Sequence, residues 1–145
     1  MSIREDLANN IVETLAEISS PQPVLITRQP FNVEELAITQ FPAIVVQTTT
    51  EDRELLTMGS ASGRKQGVIR YQIRCFVRGN ELDSKRNDLI EAIDEILDGD
   101  RYRDKTRSVV MDSTVVSIDI IERQSPLAEF VMNFDVTYNY VMKNN

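Results

Sequence analysis

Glycines, hydroxyls and a lysine gather in one stretch, Gly59-Ser-Ala-Ser-Gly63-Arg64-Lys65. A phosphate-binding loop needs such residues: glycines let backbone N–H groups close on the anion, and a lysine reaches its outer oxygens. The spacing does not serve that chemistry. Only three residues separate the glycines, Arg64 intervenes before Lys65, and Gln66 stands where a metal-binding hydroxyl belongs. A strand-like run follows rather than a helix, so no helix N-terminus would face the anion. The stretch reads as a loop tip.

Arg70, Arg74 and Arg78 recur on one face of a strand-like run, and Arg64 with Lys65 extends the row. Such a row can dock an acidic surface, on a partner protein or on another subunit. It can equally be a charged strand face that deters edge-to-edge aggregation. No aromatic platform accompanies the arginines, which argues against single-stranded nucleic acid. Asp88, Glu91, Asp94, Glu95, Asp98 and Asp100 crowd a second segment, but their spacing fits no calcium loop and reads as a solvated helix face. Histidine is absent, and with it the commonest general base and transition-metal ligand. The single cysteine, Cys75, falls on an apolar strand face and can form neither an internal disulfide nor a zinc cluster. No catalytic, cofactor-binding or metal-binding residue is expected.

Net charge is −7, so bulk electrostatics repel nucleic acid and anionic lipid. No apolar run approaches the ~20 residues of a membrane span, and Met1-Ser-Ile-Arg-Glu-Asp6 lacks the cationic start and hydrophobic stretch of a signal peptide. The chain of 145 residues suits a single domain spanning 1–145.

The elements follow from periodicity. Ile3, Leu7, Ile11, Leu15 and Ile18 predict an amphipathic helix from Ile3 to Ile18, with Ser2 and Glu5 as a capping box and Ser19-Ser20-Pro21 as its stop. Val24–Arg28 is a short buried-type strand, and Asn32 can cap one turn through Glu34-Glu35-Leu36. Ala43–Thr49 and Val68–Arg78 are strands. Leu82, Leu89, Ile93, Ile96 and Leu97 trace a second helix, stopped by Gly99. The basic segment Arg101–Arg107 offsets the negative end of that helix. Val109–Ile121 holds one or two strands, and the alternation from Phe130 to Met142 is a half-buried strand. This order predicts an α+β fold, a mostly antiparallel sheet with two helices on one face and a long hairpin loop. The other face, carrying Arg70, Arg74, Asp135, Thr137 and Asn139, is expected to be polar.

Between the strands lies the polar stretch Thr50–Gln66. Hairpin loops usually take 2–5 residues, and those beyond roughly 12–15 are commonly functional. Leu55, Leu56 and Met58 form an apolar island within it, which gains nothing in water. The loop is therefore expected to order against a neighbour.

Gln40-Phe-Pro-Ala-Ile-Val-Val-Gln47, the long polar loop, Ile69–Val77, Leu82–Leu97 and Val136-Thr-Tyr-Asn-Tyr140 together resemble the tail terminator proteins of long-tailed phages, the lambda minor tail protein U type. The resemblance spans nearly the whole chain and rests on the order of short motifs. It implies small α/β subunits assembled as a hexameric ring. Such a ring caps the tail tube protein, ends tube polymerisation and presents a surface to a neck or head-completion protein. The resemblance further implies a virion component at the tail–neck junction, assembled in the host cytoplasm. It implies no catalytic residue and no cofactor, and a long hairpin that orders in the ring. The chain departs from the family in its basic row. An acidic lumen wall would let DNA slide through without specific binding. A neck or head–tail joining subunit is the alternative within this class. A small dimeric ligand-binding domain, with the loop as its lid, is the alternative from another.

Overall fold

The computed structural model describes residues 3–55, 64–103 and 110–141. In chain order the elements are α1 (Ile3–Leu15), β1 (Leu25–Thr27), two 3-10 turns (Val33–Glu35 and Ile38–Gln40), β2 (Ala43–Leu55), β3 (Arg64–Arg78), α2 (Leu82–Asp98), β4 (Val110–Ile121) and β5 (Leu127–Val141). The strands form one sheet in the order β1-β2-β3-β5-β4, parallel only between β1 and β2. The fold is α+β, as the periodicity predicts.

Strand alternation decides which side chains are dry. Ile69, Tyr71, Ile73, Cys75 and Val77 of β3 line one face with Phe130, Met132, Phe134, Val136 and Tyr138 of β5, all buried. Leu7, Ile11 and Leu15 of α1 and Leu89, Ile93 and Leu97 of α2 close over them. Residues four apart share a helix face, so the two apolar stripes need only one sheet face to cover. Burying each such side chain contributes about 1.5–3 kcal/mol. The first helix ends at Leu15 rather than Ile18, although Ile18 stays buried beneath the following turn. Asn32 caps its turn as expected, its side-chain oxygen accepting from the Glu34 N–H at 3.1 Å. Val110–Ile121 is one strand with two register shifts. Ser2 lies outside the described residues, and Glu5 binds Arg28 through two 2.8 Å hydrogen bonds.

Two expectations need correction. The segment read as a loop over Thr50–Gln66 is largely strand: β2 runs to Leu55 and β3 begins at Arg64. β3 lies between β2 and β5 and pairs with both along this length, so its backbone groups find partners on each side. Polar side chains do not prevent a strand whose backbone is satisfied. The second sheet face is polar only in part. At its β1 end Phe31, Leu36 and Phe41 fold over Val33, Ala43, Val45 and Phe76 as a smaller apolar cluster. Phe76, which breaks the polar alternation of β3, meets Phe31 edge-on at 5.5 Å between ring centroids.

Candidate functional site

The long β2–β3 hairpin arm is built on an irregularity. The β2–β3 register shifts between Thr48 and Thr50, and the Thr49 hydroxyl donates to the Arg70 carbonyl at 3.1 Å. One extra residue reverses which side chains face the helices. Glu51 therefore sits opposite Ile69 of the core face. There Glu51 Oε1 lies 2.5 Å from Arg4 Nε, and Oε2 accepts from Arg53 Nε at 2.7 Å and from the Tyr138 hydroxyl. Burial pushes the Glu51 carboxyl up. The hydrogen bonds from Tyr138 and Arg53 and the charges of Arg4 and Arg53 outweigh that effect, so its pKa falls below the usual carboxylate value. Tyr71 adds a bond to the Arg4 carbonyl at 3.0 Å, and burial pushes its phenol well above the ordinary range. This polar knot fastens α1 to the arm. Beyond that level the strands continue to the pair Leu55↔Lys65.

The backbones of Leu55, Arg64 and Lys65 belong to the ends of those strands, whereas Leu56 and Met58 lie outside the described residues. Arg70 and Arg74 do share a face, but each has a carboxylate within the subunit. Arg70 binds Asp135, directly opposite on β5, through Nε at 2.8 Å and Nη2 at 3.1 Å. Arg74 Nε lies 3.4 Å from Glu129. Glu129 also takes Arg123 Nε at 2.6 Å. Much of the row's charge is thus met on its own sheet. Arg78, at the end of β3, lies apart and lines a cleft of about 290 Å³ with Pro21, Ile38, Phe41, Pro42 and Lys85.

The remaining candidates have structural surroundings. Cys75 is buried on the core face, and burial pushes its thiol up. The acids Asp88, Glu91, Asp94, Glu95 and Asp98 are exposed along α2. Arg103 is buried against the end of α2, donating from Nη2 to the Leu97 carbonyl at 3.2 Å and from Nε to the Asp100 carbonyl at 2.7 Å. The same two carbonyls also accept the Asp100 and Arg103 backbone N–H groups, so the Arg103 side chain adds a second partner to each at the end of α2. Among the described residues no helix is long and apolar enough to cross a membrane.

No family model and no curated protein matches the chain. A solved structure does: a chain titled as the virion of a native gene transfer agent particle. It superposes with a TM-score of 0.62 at 9% identity, over 96% of this chain and 98% of that one. The likeness is one of fold. It extends over both chains almost from end to end.

Sequence reasoning missed Glu51 and Glu129. Glu129 and Asp135 lie on the outward face of the last strand, and only the β3–β5 register shows that they meet the arginines. Nothing in the Thr48-Thr-Thr50 run signals the shift that turns Glu51 inward.

Proposed function

We propose that this protein is a virion structural subunit of the tail-terminator type, assembled as a ring that caps the tail tube and joins it to the neck. The observation that carries the reading is the end-to-end fold likeness to a chain of a virion particle. The motif order of the sequence points the same way. The role is one of binding and needs no reacting group. The hairpin arm is the element assigned to the tube or to a neighbouring subunit, because its strands run on past the Glu51 knot. The ring's negative charge keeps the passing polyanion from adhering.

Native mass spectrometry and electron microscopy of the purified protein test the proposal. A hexamer, or a monomer that closes into rings on isolated tail tubes, is the expected result. A stable dimer that binds a metabolite and ignores tail tubes would overturn it. Serine at Leu55, Leu56 and Met58 together is expected to leave the fold intact and reduce tube capping, read as longer tubes in an assembly reaction.

A further inference from the structure

The exposed large apolar side chains of the described residues are not scattered. Val116, Ile118, Ile120 and Ile121 lie on β4, with Met111 at its start and Tyr102 in the segment before it; Val24 precedes β1, and Ile38 lies in the turn before β2. β4 and β1 are the two opposite edges of the sheet. Neither helix contributes one. Ile118 and Ile120 pair with Met132 and Phe130, so they continue the core face past the cover of the helices and remain 39% and 47% exposed. Edge strands are guarded by charge, proline or bulges, and among the charged groups most often by lysine; β4 has two acids and two register shifts. It carries neither lysine nor proline, over twelve residues.

The β4 edge and the cleft lined by Ile38 and Arg78 also differ in charge. The β4 end presents Asp119 and Glu122, while Arg123 turns back onto Glu129. Where β2 begins and β3 ends, the cleft joins Ile38, Phe41 and Pro42 to Arg78 and Lys85, with Asp88 as its one acid. Ile38 is 69% exposed. Register links Ile26 through Ile44, Cys75 and Phe130 to Ile120 in a single row across the sheet. The cleft residues Val77 and Arg78 stand two and three places beyond Cys75 on β3, toward the end of the sheet where β4 gives way to Glu122. A symmetric pairing of two β4 strands fits worse, because full overlap sets Asp112 against Asp119 of the other copy at both ends.

We infer that the β4 edge of one copy seats on the cleft at the β2 start of a second copy, Ile118 and Ile120 against Ile38 and Phe41, with Asp119 and Glu122 facing Arg78 and Lys85. The contact is heterologous, the kind that closes a ring. It rests on the ring reading and specifies the surfaces that would build it.

The test uses two variants, Ile118→Asn with Ile120→Asn on β4, and Ile38→Asn with Lys85→Glu at the cleft. Ile38 and Lys85 are exposed and Ile118 and Ile120 partly so, so both variants should stay folded, the β4 variant melting a few degrees lower. Each alone is expected to assemble roughly a hundredfold more weakly, given the apolar area lost. Mixed in equal amounts they should form a one-to-one dimer and stop, since each keeps the surface the other lacks. In the assembled wild type, carbodiimide should link Lys85 to Asp119 or Glu122 of the neighbour. If the wild type forms rings and both variants do so equally well, without that crosslink, the inference falls and the proposed function stands. If β4 variants fail only in binding tail tubes, the edge serves the tube and the inference again falls. If the wild type forms no ring, alone or on tubes, both fall.

Discussion

Glu129 shows how one acid can hold two strands and a turn. Its side chain is 2% exposed, yet Arg123 and Arg74 both reach it, one at 2.6 Å and the other at 3.4 Å. A buried carboxylate is tolerable only when its lone pairs are met. Glu129→Gln should lower stability by about 1–2 kcal/mol in urea unfolding, less than a wholly buried pair because the arginines can rehydrate. Glu51 supports a prediction about pH. Its folded pKa lies below the ordinary value of 4.5, so its contribution is fully present above that value. That contribution is lost as pH falls through the folded pKa. Glu5, held down by the hydrogen bond and charge of Arg28, acts in the same direction. The urea midpoint of the wild type should therefore fall on acidification below about pH 4.5. Glu51→Gln should start lower at neutral pH and fall less.

At the scale of elements, the arm is a packed structure with a defined weak point. Gly67 on β3 pairs with Tyr138 on β5. A Cβ at Gly67 would sit 2.5 Å from ring carbons Cε1 and Cζ of Tyr138. That ring is buried and its hydroxyl is engaged with Glu51, so it has little freedom to withdraw. Gly67→Ala should destabilise by about 1–3 kcal/mol, the usual range for overpacking. The penalty should disappear in a Tyr138→Ala background, which removes the clash; a double-mutant cycle by thermal melting measures it. The helices were legible beforehand because their stripes repeat locally. Strand existence was legible too, down to the alternation of β5. The extent of the hairpin strands was not, since Thr50–Leu55 is polar and is held extended by β3, itself held by β5.

At the scale of the whole molecule, the inferred contact uses the β4 edge and the cleft lined by Arg78 rather than the arginine row. Arg70 and Arg74 bind acids of their own subunit, so reversing their charge would disturb the subunit before it disturbed any contact. Ring formation through the β4 edge and the cleft should weaken between 0.1 and 1 M salt, over which screening shortens from about 10 to about 3 Å. Apolar burial should hold part of the affinity at the high end. Sedimentation velocity across that range checks it. A ring indifferent to salt would remove Asp119, Glu122, Arg78 and Lys85 from the contact.

Read alone, the sequence determined the helix faces, the strand alternation and the α+β class, because each follows from neighbours three, four or two residues apart. It also placed Cys75 in the core and gave Asn32 its capping role, both local consequences of residue type. Tertiary structure decided what the charged groups do. Whether Arg70 is available to a partner depends on Asp135, sixty-five residues away in the chain but directly opposite in the sheet. Likewise, Ile118 and Ile120 alternate like any buried strand. Only their place on an edge strand, past the part of β4 that α2 covers, leaves them 39% and 47% exposed. A period specifies a face; what covers that face is settled by which strands become neighbours.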